Sequence, residues 1–363
     1  REVKVKDTIL LDLFCNKQYK ATVEKVEIDV NGTLSIRAKI VGYDHAYCFI
    51  TTFKGKSLIT IDIPGNNEYY SSKYNPQTNT YRLLEVDNTK RDAVDGSEPL
   101  VPPAAVQSEN KKNNENPVSN SPIALNGEND LETITVMVVY TPAAAAWAAL
   151  NETNINNTIS LMMEKSRLVH ANSNTLVNLQ LVHSQEVNYT ELNNEDDLNY
   201  LTGTNDGFMD EVHTLRNTHD ADLVVLLEVA SFTGGIAWLL NNPAGSAAYG
   251  FSLIRVQQAS WTYTVVHEIG HNMGCGHHKS QNAQPGPGIF AYSSGSRWTS
   301  SDGQKYCSIM SYESGSYYTD KTNHTRVPYF SSPNLSYLGT IIGTPTDADN
   351  ARTIRQTKTA IAK

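Results

Sequence analysis

The chain has 363 residues, of which 39% are hydrophobic and 18% charged, so it can build sizeable cores and is not an intrinsically disordered chain. Its 29 Lys and Arg residues against 38 Asp and Glu residues give a net charge of −9, which argues against a nucleic-acid partner or an anionic membrane surface. The sequence has no run of about twenty apolar residues that could span a bilayer. The length predicts two domains.

Residues 1–98 predict a small β-rich domain that is mostly antiparallel. Two stretches, ATVEKVEIDV and GTLSIRAKIVGY, alternate apolar and polar residues around Asn31-Gly32, a dipeptide typical of hairpin turns. Residues 99–130 then become rich in Pro, Asn, Ser and Glu and lose hydrophobic periodicity. This composition predicts a flexible linker that a protease could cut.

From residue 131 the pattern becomes that of an α/β protein. Strand-like runs in TITVMVVYTP, LVNLQLVHSQEV and ADLVVLLEV alternate with helix-compatible stretches, the first of which is interrupted near Asn151. Shorter strands are predicted in GGIAWLL (234–240) and YGFSLIRVQ, and a helix in SWTYTVVHEIGHNMG that ends at Gly274. Residues 279–347 predict little regular structure before a closing helix. The fold class is therefore α+β, with an α/β-like second part.

Four of the ten histidines lie within HEIGHNMGCGHH. His267 and His271 are four apart on the predicted helix, so both imidazoles leave the same face and can share one Zn²⁺. Glu268 is offset around the helix, where it can reach a water molecule on the metal without ligating the ion. Gly274 permits a turn after which His277 can return as the third ligand. Three neutral ligands with one open position are typical of a catalytic zinc ion.

The pattern His-Glu-x-x-His-x-x-Gly-x-x-His resembles that of the metzincin zinc endopeptidases. The second mark of this clan, a methionine in a tight turn beneath the metal, is matched by Met310 in CSIMSY. The stretches TITVMVVYTPAAAA and VPYFSSPNLSYLGTIIGTPTDADNAR narrow the resemblance, over residues 131–363, to the bacterial reprolysin-like peptidyl-Asp metalloendopeptidases. It implies a catalytic domain with a twisted mixed sheet and long helices, comprising an upper subdomain at 131–274 and an irregular lower subdomain at 275–363.

The resemblance also implies how the site works. Zinc on the three histidines would activate water and polarise the scissile carbonyl, with Glu268 as general base and then general acid. Tyr312 matches the tyrosine that stabilises the oxyanion in astacins and serralysins, and a buried structural tyrosine is the alternative. An extended substrate would add to an edge strand, for which residues 234–240 are the candidate, with a plain core strand as the alternative.

Cleavage before Asp is a further implication of the resemblance. Arg297, Lys321 and Arg326 are the basic residues that could recognise such a substrate, but the sequence singles out none of them. His278 stands where adamalysin-type enzymes often have Asp.

A small β domain, a cleavable joint and an intact metalloprotease resemble a zymogen, in which the first domain is a propeptide that inhibits its own enzyme. Cys15 or Cys48 could act as a switch on the zinc, although a bridge between the two is the stronger expectation, and an aspartate within 87–95 could serve instead. A first domain that does not touch the zinc is the alternative. In the second part, a bridge between Cys275 and Cys307 would tie the third-ligand turn to the Met-turn, and two separate thiols are the alternative.

These features predict a secreted zinc endopeptidase in precursor form that acts as a monomer on proteins or peptides, with its signal peptide absent from this chain. One alternative is a catalytically silent zinc-containing binding protein or adhesin, which the intact Glu268 argues against. Another is a metal-dependent hydrolase of other substrates. The many Asp and Asn residues also allow a Ca²⁺ ion, but no loop has the ligand spacing that would specify one.

Overall fold

The first part of the protein is a single antiparallel sheet. The computed structural model describes residues 2–87, 99–103, 128–231 and 233–362. Seven strands pair in chain order, each with its sequence neighbours, as the alternating pattern and the turn at Asn31 predict. They are β1 (Thr8–Asp12), β2 (Gln18–Ile28), β3 (Leu34–Ile40), β4 (Tyr47–Phe53), β5 (Lys56–Ile63), β6 (Glu68–Asn75) and β7 (Thr80–Glu85).

The second part is built on a mixed five-stranded sheet, as predicted. The order is β11-β12-β10-β8-β9, with β11 antiparallel to its neighbour and the other strands parallel. All six residues of β10 are buried, because it lies in the middle of the sheet and both of its faces are covered. The strands are β8 (Glu132–Tyr140), β9 (Val177–Glu186), β10 (Leu223–Glu228), β11 (Gly235–Ala237) and β12 (Phe251–Arg255).

The helical stretch after β8 is two helices, which confirms the predicted interruption near Asn151. The hydroxyl of Thr141 accepts from the amide of Ala144 at 3.0 Å, and the side chain of Asn154 accepts from the amide of Asn157 at 3.0 Å, so each helix has its own N-cap. None of the described helices is both long and apolar enough to cross a bilayer. They are α1 (Pro142–Asn151), α2 (Ile155–Asn172), α3 (Asn194–Thr202), α4 (Glu211–Thr218), α5 (Val256–Ala259), α6 (Thr264–Asn272) and α7 (Asn350–Ile361).

The region between α6 and α7 contains more regular structure than the sequence predicts. Three short strands form one sheet and two form another, linked by long turns. Their extent is small because Gly, Ser and Pro recur throughout the region. They are β13 (Arg297–Thr299), β14 (Lys305–Cys307), β15 (Thr325–Arg326), β16 (Ser332–Tyr337) and β17 (Thr340–Ile342).

Helix α2 is covered on two sides, and one of them is the first sheet. Met162 and Val169 belong to the core beneath the mixed sheet. Leu161 and Leu168 instead pack against a buried cluster on the first sheet. This contact between the sheet and the helix, called the α2 interface below, joins Tyr47, Phe49 and Leu58 to Leu161 and Leu168.

Charged side chains cross the α2 interface in complementary pairs. Nζ of Lys165 on α2 lies 2.8 Å from the carboxylate of Asp62 on β5, and the Lys165 side chain is only 1% exposed. Burial of an ammonium group is costly unless a counter-charge accompanies it. The pairs are Asp62–Lys165 at 2.8 Å, Arg37–Glu164 at 2.8 Å and Glu27–Arg167 at 3.3 Å.

His170, near the end of α2, should make the protein acid-sensitive. Burial lowers the pKa of its imidazole to about 3, so the native state keeps it neutral while the unfolded chain binds a proton below its ordinary value of 6.5. Because the unfolded state then binds more protons, stability should fall as pH drops from 6.5 towards 3, by up to ~3 kcal/mol at pH 4. Urea unfolding at pH 7, 5.5 and 4 would measure this loss.

The matched variant for this test is His170→Phe, since the imidazole already packs against the ring of Phe330 at 5.5 Å between centroids. The hydroxyl of Thr175, which contacts the imidazole, also donates to the carbonyl of His170 and keeps that bond. The other histidines contribute equally to the unfolding free energy of both proteins, so the difference between wild type and variant at each pH reports His170 alone. A difference that does not change with pH would contradict the prediction.

Candidate active site

Helix α6 carries the histidine motif, and all nine of its residues are buried. The helix ends where Gly274 adopts a left-handed φ of +86°, and the amide of Cys275 then donates back to the carbonyl of Gly270 at 2.9 Å. This reversal returns the chain towards the helix. His277 therefore faces the same point as His267 and His271, as the sequence predicts.

Each of the three imidazoles is held in one tautomer by a backbone carbonyl. Nδ1 of His267 donates to the carbonyl of Ile309 at 2.8 Å, and Nδ1 of His271 donates to that of Cys275 at 2.9 Å. Nδ1 of His277 donates to the carbonyl of Gln284 at 3.1 Å. Because carbonyl oxygens only accept, the Nδ1 atoms carry the protons and the three Nε2 lone pairs remain for another partner.

The three Nε2 atoms meet at one point. Nε2 of His277 lies 3.0 Å from Nε2 of His267 and 3.1 Å from Nε2 of His271. Two nitrogens that bind one tetrahedral Zn²⁺ are separated by about 3.3 Å, so the donor set fits this ion. Burial and the neighbouring imidazoles lower the pKa of His267 and His277, and burial lowers the pKa of His271 to about 4. The imidazoles are therefore neutral at pH 7, as metal ligands must be.

Glu268 is fully buried, and neither carboxylate oxygen has a hydrogen-bond partner among the described residues. Burial raises the pKa of this carboxyl well above its ordinary value, and the nearby charge of Arg326 partly offsets that shift. An orphaned carboxylate beside three converging imidazoles is suited to accept a proton from a small molecule bound there.

Gly235, at the start of β11, provides the space for Glu268. A Cβ atom at Gly235 would lie 2.7 Å from Cγ of Glu268. Sequence reasoning missed this residue, although the Gly-Gly pair at the start of the predicted strand was a signal that the backbone approaches something closely there. The edge strand and the candidate general base are thus in direct contact.

The Met-turn lies against α6, as predicted. A Cβ atom at Gly270 would be only 2.7 Å from Sδ of Met310, so the glycine lets the sulfur pack directly on the helix backbone. The preceding residue, Ile309, supplies the carbonyl that orients His267. Met310 is fully buried and belongs to the same core as Ile269 of α6.

Tyr312 follows the Met-turn and lies at the metal site. Its ring centroid is 4.8 Å from that of His277 and 6.0 Å from that of His267. Its backbone amide donates to Oε1 of Gln281 at 3.2 Å, which anchors the turn, and the side chain is 1% exposed. The ring is thus beside the imidazoles, but its burial also fits a structural role.

Gly276 is the tightest position next to the third histidine. A Cβ atom there would collide with the amide of Gly288 and lie 2.7 Å from the carbonyl carbon of Pro287. Because backbone cannot move aside cheaply, Gly276→Ala should cost about 3 kcal/mol of unfolding free energy and lower the zinc content by displacing His277. Denaturant titration and metal analysis would measure both effects.

The control for Gly276→Ala is Gly65→Ala, in the turn between β5 and β6. No atom lies within 4 Å of the Cβ position there, and the backbone needs no left-handed conformation. This variant should stay within about 0.5 kcal/mol of wild type. Equal unfolding free energies for the two variants would contradict the prediction that crowding around Gly276 destabilises the Ala variant.

The predicted disulfide bridges are not formed. Sγ of Cys275 contacts the carbonyl of Asn350 at 3.7 Å, whereas Sγ of Cys307 contacts the carbonyl of Ser311 at 3.8 Å. The two thiols therefore contact different segments of the chain and are not bonded to each other. Cys48 is a free, buried thiol in the core of the first sheet. Burial raises its pKa to about 12, so it is not suited to act as a thiolate switch. The side chain of Cys15, the other predicted switch residue, lies outside the described residues.

Within the described ranges, His267, His271 and His277 form the one group of three or more metal-ligating side chains. The group includes no residue of the first sheet and no set of carboxylates that would hold Ca²⁺. Of the aspartates within 87–95, Asp87 is not part of this group, and Asp92 and Asp95 lie outside the described ranges.

Strand β11 is an edge strand, and directly after its end Leu100 forms an isolated parallel bridge with Trp238. The amide of Leu100 donates to the carbonyl of Ala237 at 2.9 Å, and the amide of Leu239 donates to the carbonyl of Leu100 at 2.7 Å, in parallel orientation. This confirms the edge position predicted for 234–240. Pro99 and Val101 line a cavity of 150 Å³ together with Leu239, His271 and His277. A segment of the chain itself thus occupies the edge beside the histidines.

Comparisons with known proteins agree with this geometry. The model of metallopeptidase family M12 (Reprolysin_5) matches residues 130–331. The chain is 34% identical over 232 residues to the peptidyl-Asp metalloendopeptidase of Stenotrophomonas maltophilia (strain K279a). The aligned region covers 63% of this chain and 52% of that protein. For the enzyme of the same name from Xanthomonas campestris pv. campestris, the identity is 34% over 233 residues, with coverage of 63% and 51%.

The chain thus spans about half the length of the curated relatives it matches. Among solved structures, metalloproteinase-II from Bacteroides fragilis has a TM-score of 0.49 at 13% identity, over 90% of this chain and 89% of that one. The family match covers more than half of the chain and includes all three histidines, Glu268 and Met310. The chain belongs to metallopeptidase family M12, in its reprolysin-like branch.

Proposed function

We propose that the protein is a zinc-dependent endopeptidase held in precursor form. The observation that supports this most is the meeting of three neutral imidazole Nε2 atoms beside the orphaned carboxylate of Glu268. A silent zinc-containing binding protein would gain nothing from a buried carboxylate without a partner, which is costly to keep.

The residues of the site divide the chemistry between them. Zinc held by His267, His271 and His277 would supply Lewis acidity at the scissile carbonyl and lower the pKa of water. Glu268 would take the proton of the attacking water and deliver it to the leaving amine. The ring centroid of Tyr312 lies 4.8 Å from that of His277. Its hydroxyl group would donate a hydrogen bond to the developing oxyanion.

The substrate would bind as an additional strand along β11. Residues 99–103 already use the backbone groups of Ala237 and Leu239 in this way, which supports an edge able to pair with extended peptide. The relatives are named peptidyl-Asp metalloendopeptidases, and on that ground we propose cleavage before Asp for this chain as well.

The precursor state would rest on the same contacts. While Leu100 pairs with the chain at the end of β11, a substrate strand cannot pair there. The first sheet, which precedes this segment in the chain, packs separately against α2. We propose that residues 1–98 are the propeptide, that cleavage within 99–130 releases the enzyme, and that the protein is a secreted monomer. Secretion rests on the resemblance alone, because the three described thiols form no disulfide.

The test is to map cleavage sites by mass spectrometry. The full chain, treated briefly with trypsin to cut the linker and then with a trypsin inhibitor, is incubated with a denatured protein mixture. New peptide ends before Asp that disappear with a zinc chelator are expected. New ends without a preference for Asp would support the endopeptidase activity and contradict the proposed cleavage before Asp. A zinc-loaded chain that produces no new ends would contradict the endopeptidase activity itself.

A further inference from the structure

The cavity of 150 Å³ beside the histidines is lined by two of the three predicted metal ligands. His271 and His277 form one side of it. Leu239, two residues after the end of β11, and the turn at 284–287 form the other sides. Any peptide that pairs with the chain at the end of β11 therefore passes this cavity next to the imidazoles.

The walls of the cavity are held by the second part of the chain itself. The amide of Leu240 donates to the carbonyl of His271 at 2.9 Å, which joins the segment after β11 to α6. The carbonyl of Gln284 accepts from Nδ1 of His277 at 3.1 Å. A Cβ atom at Gly286 would collide with the carbonyl oxygen of His277, so the turn packs directly on the backbone of this ligand. These walls do not depend on the first sheet.

The lining is apolar and uncharged. Leu239, Pro285 and Pro287 supply aliphatic surface, and no Asp, Glu, Lys or Arg among the described residues lines the cavity. A charged side chain placed there would lose hydration without gaining a counter-charge. In other proteins an apolar cavity of about 150 Å³ binds a group as large as benzene. The cavity therefore suits an apolar side chain of about the size of Leu.

The Asp proposed to follow the scissile bond would find no partner in this cavity. Arg297 and Arg326 line other cavities, and Lys321 is exposed on a left-handed turn residue. Since a carboxylate beside apolar walls is unfavourable, the cavity is matched to a residue on the other side of the scissile bond, which precedes the cleaved peptide bond.

The chain's own segment shows how an extended peptide lies at this cavity. Leu100 pairs with the chain after β11, and its neighbours Pro99 and Val101 both line the cavity. This is the alternation expected of extended backbone, in which every second side chain points the same way. Val101 is still 60% exposed, so the segment covers the cavity without filling it. A longer apolar side chain would use the space that remains.

We propose that this cavity is a substrate subsite for an apolar side chain one to three residues before the scissile bond, and that Leu239 is its specificity-determining residue. This rests on the proposed endopeptidase function and deepens it. Leu239 is the aliphatic lining residue that belongs neither to the histidine motif nor to the turn at 284–287. Burial of a Leu side chain is favourable enough for a selectivity of about tenfold or more.

The experiment uses peptides with Asp after the scissile bond that carry Leu, Asn or Glu at the first, second or third position before it. The full chain, treated with trypsin and then with a trypsin inhibitor, is used as wild type, Leu239→Glu and Leu239→Met. The matched control is Leu150→Glu, at a side chain that is 72% exposed on α1.

At one of these positions, wild type, Leu239→Met and Leu150→Glu should favour Leu over Asn about 10-fold and over Glu about 100-fold in kcat/KM. In Leu239→Glu the preference for Leu over Asn should fall below about 3-fold, because the new carboxylate makes the wall polar. The zinc content should be the same in all four proteins.

The outcomes separate the subsite from the activity. A wild type that cleaves the peptides without a preference for Leu at any of the three positions overturns the assignment and leaves the endopeptidase activity supported. A Leu preference that survives in Leu239→Glu overturns it as well, and so does an equal loss on all peptides in Leu239→Glu and Leu239→Met, since Leu239 would then only support the edge. A zinc-loaded wild type that cleaves nothing contradicts the endopeptidase activity and this assignment with it.

Discussion

Replacing Glu268 with Gln is expected to lower kcat/KM for any cleaved peptide by about 10³-fold while the zinc content stays near one ion per chain. The amide keeps the shape of the side chain, so the pocket beside Gly235 and the three imidazoles remain as they are. It cannot accept the proton of the attacking water, because its basicity is negligible. Peptide hydrolysis and metal analysis on the same trypsin-treated preparation would measure both quantities.

Two further variants make this result interpretable. His277→Gln removes one of the three nitrogens and should lose zinc and activity together. Glu195→Gln, in the exposed first turn of α3, should change neither. If Glu268→Gln retained more than about a tenth of the wild-type rate with zinc bound, another residue would have to act as the base.

Replacing Asp62 with Ala should destabilise the precursor by about 3 kcal/mol. The change leaves the ammonium of Lys165, which is 1% exposed, without the carboxylate that lies 2.8 Å away. The ion pair connects the first sheet to α2, so its loss should loosen the α2 interface as well as lower global stability. Urea unfolding of the full chain would give the free energy, and the rate of linker cleavage by trypsin would report the loosening.

The control for Asp62→Ala is Glu85→Ala. Glu85 is half exposed and 3.6 Å from Lys17, so its removal should cost less than about 0.5 kcal/mol. The double variant Asp62→Val with Lys165→Met should regain most of the lost stability, since a buried ion pair can be exchanged for apolar side chains of similar size. A double variant no more stable than Asp62→Ala would show that the carboxylate acts through something other than this pair.

The metal centre could be predicted because its spacing is local. His267, Glu268 and His271 lie within five positions on one helix, and the period of the helix alone puts the two imidazoles on one face. The turn at Gly274 and the return of His277 follow three to six residues later. Met310 needed the family resemblance, since a methionine in a short irregular stretch is otherwise indistinguishable from core filler.

The same local reasoning failed for the cysteines. Cys275 and Cys307 are close to the two segments that support the site, but their sulfurs contact Asn350 and Ser311 in different surroundings. The direction of a side chain depends on backbone dihedral angles at each position, and spacing in the sequence does not record them. The predicted bridge between Cys15 and Cys48 is also not formed, since Cys48 is a free thiol in the core of its sheet.

By itself, then, the sequence determined the main strands and helices, the three histidines and the glutamate, since hydrophobic period and helical spacing are properties of short segments. Only the tertiary structure decided which carbonyls orient the imidazoles, that Gly235 makes room for Glu268, and that Leu100 pairs with Trp238 directly after β11. Each of these joins segments far apart in the chain, and no local pattern encodes which distant segments will meet when the cores close.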